Sequence, residues 1–178
     1  MQGKATIAGH PVHPILITLP IGCYVAALVS DIIFLVHGTA FWNSMATWLV
    51  AFGLVGSLLA AFSGLVDYLS APMTAAARRV ANAHAMLNVA NLIAFLVAFA
   101  VRSLDPSSIW GHVALLIGIC LLVPAGALGG RLAHRHLVGS SEADLRTVRT
   151  AADETSMTPR ERFAREREKA RSTTKGSI

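Results

Sequence analysis

Four long apolar segments, separated by short polar links, dominate the pattern of the chain. They cover approximately residues 14–36, 44–69, 86–101 (with an extension back toward 81) and 109–128. A helix needs about 20 residues to cross the hydrocarbon of a bilayer, and each segment approaches or exceeds that length. Short links make consecutive helices antiparallel neighbours. The pattern predicts an all-α fold, an integral membrane four-helix up-and-down bundle over residues 9–139.

Composition and charge separate this bundle from the rest of the chain. The 178 residues are 54% hydrophobic and 14% charged, which fits a membrane protein better than a soluble domain. Residues 140–178 hold nine of the fifteen Lys and Arg and seven of the ten Asp and Glu. We expect this part to be a charged cytoplasmic tail, mostly disordered or marginally helical. A capping box from Thr158 to Glu161 marks its one helix start.

The basic residues predict an orientation in the bilayer. Positive residues collect on the cytoplasmic side of membrane proteins. The side of the predicted bundle opposite both termini carries Arg102 alone. The side that holds the termini carries five basic residues: Lys4, Arg78, Arg79, Arg131 and Arg135. We therefore expect a multi-pass protein of the bacterial cytoplasmic membrane with both termini in the cytoplasm. Basic residues next to apolar spans also explain the net charge of +5 without a nucleic-acid partner.

Polar residues of the first span share one helical face. His13, Tyr24 and Asp31 recur at helical spacing with Ile17, Pro20 and Ala27, so this face is predicted to point inward. Pro20 cannot donate a hydrogen bond to the carbonyl of Leu16, and a kink is expected there. Asp31 lies at about the depth of Arg102, and we expect an ion pair between them.

Small residues predict where helices pack closely. Gly56, Ala60 and Gly64 form a stripe in the second span that allows a neighbouring backbone to approach. Cys23 and Cys120 lie within apolar runs and are interpreted as small buried residues, with no disulfide framework.

Histidines and other polar residues converge on the predicted cytoplasmic end. His84, Asn88 and Asn91 form a polar stripe in the third span, which indicates a cavity, an interhelical hydrogen-bond network or an ordered ligand. Because the helices alternate in direction, residues from all four spans or their flanks meet at this end: His10, His13, Asp67, His84, Asn88, Arg131 and His134.

This constellation predicts a cofactor site. Imidazole is the commonest metal ligand, and two histidines at matched depth on different helices suit a haem in a bundle core. His13 and His84 are the expected ligands of haem b or of another histidine-bound metal. Asn88, Asp67, His10 and His134 are expected around them. For Asp67, a structural ion pair is the alternative to a proton-carrying role.

Five sequence features occur in order over about residues 9–139: HPVHPILITLPIG, Asp31, AAFSGLVDY, AHAMLNVANL and GALGGRLAHRHLVG. Together they resemble the pattern of a family of small bacterial membrane proteins, domain of unknown function 2231. The resemblance implies a four-helix membrane domain that is sometimes found with redox modules such as Rieske or cytochrome c domains. The family's closing segment usually has an acidic residue followed by Tyr. Here Arg131 and His134 stand at those places.

Three functions remain open from the sequence. One is a redox or haem-binding membrane component that works with redox partner proteins. The second is a structural or accessory membrane subunit without a cofactor, and the third is a small transporter that uses the prolines Pro20 and Pro124. No catalytic motif is present, so an enzyme acting on its own is not expected. Contact with the lipid bilayer is expected, and a homo-oligomer is left open.

Overall fold

The computed structural model describes residues 6–7, 10–71, 73–135, 152, 155–158 and 160–161, and of residues 6, 7, 10, 11, 134 and 135 it describes the backbone alone. These residues belong to two compact units, Met1–Ser141 and Glu142–Ile178. The first unit opens with two-residue strands β1 (Thr6–Ile7) and β2 (His10–Pro11), which pair antiparallel. Everything else described in it that is regular is helical, as predicted.

Four of the helical stretches are long and apolar enough to cross a membrane. The first span consists of α1 (Val12–Leu16) and α2 (Thr18–His37), and the others are α3 (Ala40–Ser70), α4 (Ala75–Leu104) and α5 (Ile109–Arg135). Each extends past the predicted apolar segment because the helix continues into the polar flanks. Gly38 ends α2 in the left-handed conformation, with φ of 70°, and α3 follows directly.

Proline affects the two helices that contain it differently. The first span is interrupted at Ile17, where α1 ends and α2 begins, next to the Leu16 carbonyl that Pro20 leaves without a donor. The predicted irregularity is therefore present, nearly one turn before the ring itself. In α5, the helix runs unbroken through Pro124. The break that the sequence allowed there does not occur.

The core of the bundle is built on two stacked rings. Tyr24 of α2 and Phe95 of α4 lie face to face, with centroids 3.5 Å apart and planes 7° from parallel. Each ring also lies against a glycine of its neighbouring helix, Tyr24 on Gly53 and Phe95 on Gly118. A Cβ at Gly118 would come within 2.7 Å of the Phe95 ring, so only glycine admits the ring here. The predicted inward face of the first span is confirmed, since Pro20, Tyr24, Ala27 and Asp31 are all buried.

The two helical hairpins are internal repeats of one another. His13, Tyr24, Ala27 and Asp31 recur at identical intervals as His84, Phe95, Ala98 and Arg102. The second helices match likewise: Val50, Gly53, Ala60 and Gly64 correspond to Leu115, Gly118, Ala125 and Gly129.

Equivalent residues of the two repeats meet in space. Tyr24 stacks on Phe95, and Asp31 pairs with Arg102. An approximate two-fold axis along the bundle must therefore pass between the members of each pair. The repeat is parallel, because the first and third spans run in the same direction.

The outer surface of the spans is apolar and faces lipid. Large apolar side chains on this surface are about half exposed or more, for example Val25 at 49%, Phe62 at 71% and Leu116 at 54%. Cys120 is exposed on this surface and Cys23 is partly exposed. The interpretation of both cysteines as buried residues is therefore wrong for Cys120, because its position on α5 turns away from α4.

In the second unit, the capping box predicted for the tail is present. The Thr158 N–H donates to Glu161 Oε2 at 2.8 Å, and the Glu161 N–H donates to Thr158 Oγ1 at 3.4 Å. The backbone N–H and the hydroxyl of Thr158 both donate to the charged carboxylate, and these two hydrogen bonds lower the pKa of Glu161. The cap is therefore retained above the ordinary glutamate pKa and lost as the pH falls through the lowered value. The charged stretch after Glu161 lies outside the described residues.

The ring stack predicts how two glycine substitutions differ. Gly118→Ala should lower the free energy of unfolding by about 1–3 kcal/mol, because the added methyl overlaps the Phe95 ring. Gly22→Ala in α2 is the matched control, since its Cβ would meet nothing within 4 Å. The control should be neutral or stabilising by up to about 1 kcal/mol through helix propensity. Thermal unfolding of both variants in one detergent tests this, and equal shifts would contradict the packing described.

Candidate functional site

A buried cluster of charged and polar side chains lies where α2 and α4 end and α3 and α5 begin. Arg102, 2% exposed, donates from Nη1 to Asp31 Oδ1 at 2.6 Å, which is the ion pair that the sequence predicted. Its Nη2 donates to Oδ1 of Asn43 at 2.5 Å, and its Nε donates to Oγ1 of Thr47 at 3.2 Å. One guanidinium thus joins α4 to both α2 and α3.

His112 completes this cluster from α5. Its Nδ1 lies 2.8 Å from Asp31 Oδ1 and 3.0 Å from Arg102 Nη1, and its ring lies beside Phe34 with centroids 5.7 Å apart. Gly111 makes room for the arginine, because a Cβ there would lie 2.5 Å from Arg102 Cγ. All four spans therefore contribute to the cluster.

Sequence analysis missed Asn43 and His112 as members of this cluster. Each is a lone polar residue near the start of an apolar span, where a headgroup contact explains it equally well. The internal repeat would have found one of them. Thr47 and His112 occupy equivalent positions in the two hairpins, and both contact Arg102.

A cavity of about 320 Å³ lies between α3 and α4 beside the cluster. Its walls include Ser44, Trp48, Phe99 and Arg102. The nitrogens of Arg102 are already engaged by Asp31, Asn43 and Thr47. The arginine therefore holds helices together and is not a free anion receptor.

His13 lies at the opposite end of the bundle, in α1. Its Nδ1 is 2.8 Å from the carbonyl oxygen of Ala60 in α3, so this nitrogen carries the proton and donates it. Ser63 Oγ lies 3.4 Å from the same nitrogen and donates to the same carbonyl at 2.9 Å. The ring rests against Gly64, where a Cβ would lie 3.1 Å from it. The close approach predicted for the small-residue stripe is thus made by an imidazole.

His84 makes the equivalent contacts in the second hairpin. Its Nδ1 donates to the carbonyl oxygen of Ala125 in α5 at 2.9 Å, and a Cβ at Gly129 would lie 2.9 Å from the ring. The Asn88 amide nitrogen is 3.3 Å from Nδ1 and 3.2 Å from Nε2. Nearly equal distances to both ring nitrogens place the amide against the ring face, and its directional bond goes to the His84 carbonyl oxygen at 2.8 Å.

The remaining predicted site residues have different outcomes. Asn91 forms the predicted interhelical bond, donating to the Gly118 carbonyl oxygen at 3.0 Å. Asp67 is buried, 7% exposed, on the face of α3 that carries Ala60 and Ser63. The side chains of His10 and His134 lie outside the described residues. Arg131 is exposed near the end of α5.

His13 and His84 are therefore equivalent in the repeat and in their hydrogen bonding. Each uses Nδ1 on a carbonyl of its own hairpin, which leaves Nε2 as the nitrogen with a lone pair. Among the described residues, no group of three or more His, Cys, Asp or Glu is placed to hold a metal ion. The pair can supply two imidazole ligands and no more.

Comparison with known proteins assigns the domain but no activity. A family model described as a predicted membrane protein, domain of unknown function 2231, matches residues 9–142. No curated protein and no solved structure matches the chain.

The ion pair predicts an asymmetry between single and double substitution. Asp31→Asn should lower the free energy of unfolding by about 3–5 kcal/mol, because Arg102 is left as an uncompensated buried charge. Replacing both residues by apolar ones, Asp31→Leu with Arg102→Met, should be less destabilising than Asp31→Asn alone. Chemical unfolding in detergent micelles measures both. A double variant that is clearly worse than the single one would contradict this account of the cluster.

Proposed function

Since the chain belongs to this family of predicted membrane proteins, whose description names no activity, we propose from the site's geometry that it is a haem-binding redox component of the membrane. His13 and His84 are the proposed iron ligands. The observation that carries the proposal is the matched use of Nδ1 by both imidazoles, which leaves both Nε2 lone pairs available.

That hydrogen-bonding pattern is the one expected of ligating histidines. A histidine that binds a metal usually donates its other ring N–H to a carbonyl or carboxylate, which fixes the tautomer and the ring orientation. Here the Ala60 and Ala125 carbonyl oxygens accept those protons at 2.8 and 2.9 Å. Gly64 and Gly129 shape a seat for each ring, since a side chain at either position would press on the imidazole.

The number of ligands favours haem over a bare metal ion. A structural zinc site needs four protein ligands and a catalytic one needs three. The described residues offer two imidazoles and no third ligand close by. Haem iron needs only axial ligands, because the porphyrin supplies the other four.

The role of a bound haem would be one-electron transfer, with the protein setting the environment of the iron. His13 and His84 hold the group, and the two carbonyl hydrogen bonds make their Nε2 atoms more basic. The Asn88 amide against the His84 ring and the buried Asp67 near His13 are the polar groups placed to adjust the charge at the site. Redox partner proteins would supply and remove the electron.

The proposed location is the bacterial cytoplasmic membrane, with the histidine end facing the cytoplasm. Arg78, Arg79 and Arg131 are all exposed at this end, whereas Arg102 at the other end is buried in its ion pair. Basic residues that are free to face water are the ones that set orientation.

A structural subunit without a cofactor is the second candidate. The observation that favours it is that, within the described part of the chain, no buried side-chain nitrogen or oxygen lacks a hydrogen-bond partner. Polar groups that are all satisfied within the bundle can serve packing alone.

Absorption spectroscopy distinguishes the two candidates. The chain, expressed with haem precursor and purified in detergent, should show the Soret and α bands of a six-coordinate low-spin haem. His13→Gln or His84→Gln should remove the six-coordinate spectrum, because one axial ligand is lost. His37→Gln, at an exposed histidine in the last turn of α2, is the matched control and should leave the spectrum unchanged.

Gly129→Ala refines the same experiment. It should shift the bands or lower haem occupancy, since its methyl group would lie 2.9 Å from the His84 ring. Gly126→Ala, one turn earlier in α5 with nothing within 4 Å, should not. Folded protein without a Soret band, under conditions that load a known haem protein expressed in parallel, would reject haem binding and favour the structural candidate.

A further inference from the structure

The contact between His112 and Asp31 fixes where one proton lies. Nδ1 and Oδ1 are 2.8 Å apart, and two lone pairs do not face each other at that distance without a proton between them. The carboxylate is already paired with Arg102, so the proton belongs to Nδ1, which donates it to Asp31. Arg102 Nη1, at 3.0 Å, then approaches Nδ1 because both nitrogens donate to the same oxygen.

The other ring nitrogen of His112 is left open. The contacts of His112 with Asp31 and Arg102 both involve Nδ1 alone. Within the described residues, every buried side-chain nitrogen or oxygen has a partner, so an unpartnered Nε2 must reach the surface. His112 lies in the first turn of α5, at the edge of the span.

We propose that His112 Nε2 is a proton-binding site, oriented by Asp31, at the end of the bundle opposite His13 and His84. Carboxylate-bound imidazoles recur in proteins as proton acceptors, because the carboxylate holds the tautomer and stabilises the imidazolium. Nothing in the proposed haem site is required for this one. The two proposals can therefore fail separately.

The groups around His112 carry charges of both signs. Asp31 on α2 favours the imidazolium. Arg102 on α4 opposes it, and so do the free N–H groups at the start of α5. The neutral side chains of α3 at the cluster, Asn43 and Thr47, contact Arg102.

The proton step changes no other bond. A proton from water at this end of the bundle adds to the Nε2 lone pair, and the Nδ1 proton stays on its bond to Asp31. The cluster gains one positive charge, and the new Nε2–H lies in the first turn of α5, at the edge of the span. Release is the reverse of the same step.

Nitrogen NMR of the full chain in lipid nanodiscs tests the proposal. With ¹⁵N-labelled histidine, the His112 signals are those absent from His112→Gln. In the neutral form we expect Nδ1 to be protonated and Nε2 to be bare. As the pH is lowered, Nε2 should move to the imidazolium position while Nδ1 keeps its proton. His37, exposed at the same end of the bundle, serves as the internal reference.

Two results would overturn the proposal: a neutral His112 with its proton on Nε2, or a His112 that gains no proton at any pH where the bundle stays folded. If His112→Gln does not fold, the signal is identified instead by the contact of the ring with Phe34. A second measurement uses the unaltered chain. Diethyl pyrocarbonate attacks a bare imidazole nitrogen, so peptide mass spectrometry should find His112 modified at high pH and protected at low pH. Protection at every pH would contradict an open Nε2.

Discussion

The pairing of Arg102 with Asp31 is the interaction on which the rest of the bundle depends. A charged side chain within a membrane span is costly unless it is paired, and Arg102 is almost fully buried. The cost falls when the charge is neutralised and its donors are satisfied, which here takes residues from α2, α3 and α5. The helices cannot separate at this end without exposing the guanidinium to hydrocarbon. Lipid solvates the apolar helix surfaces as well as a neighbouring helix does, so apolar contact alone does not select one arrangement of the helices. A polar contact such as this one gives the helix association its specificity.

The internal repeat explains why this pair lies on the axis of the bundle. Two identical hairpins would place two aspartates or two arginines against each other at this point, and like charges in a low dielectric repel strongly. The present sequence has opposite charges at the two equivalent positions, so the contact is attractive. The equivalent residues Tyr24 and Phe95 also differ from each other. Tyr24 has a hydroxyl, which lies 2.9 Å from Ser57 Oγ, whereas Phe95 has none. The repeat has thus kept its backbone packing while its axial residues have become complementary.

The fold could be predicted from the sequence because the apolar segments show where the spans lie and the helical spacing shows which residues share a face. Tyr24 and Asp31 were placed on an inward face by spacing alone, and the ion pair followed from matched depth. The partners of that pair could not be predicted, because Asn43 and His112 are recruited by three-dimensional packing rather than by a local motif. For His13 and His84, spacing predicted equal depth, but it could not show that each ring donates to a carbonyl of its own hairpin. That contact depends on helix rotation, which small residues such as Gly64 permit but do not determine. Cys120 was misplaced for the same reason, since an apolar run does not reveal which side of a helix faces lipid.

The same two-fold arrangement gives the two ends of the bundle different chemistry. At the end with His13 and His84, equivalent positions hold identical residues, and both imidazoles make the same bond to a neighbouring backbone carbonyl. Identical neutral ligands are compatible with a symmetric group between them. At the other end, equivalent positions differ, Asp31 from Arg102 and Thr47 from His112, so the environment is polarised. Oppositely charged side chains at equivalent positions attract each other, whereas two side chains of the same charge would repel each other. A single repeated hairpin therefore places a symmetric pair of imidazoles at one end of the bundle and a charge-bearing cluster at the other, with the Tyr24–Phe95 stack between them.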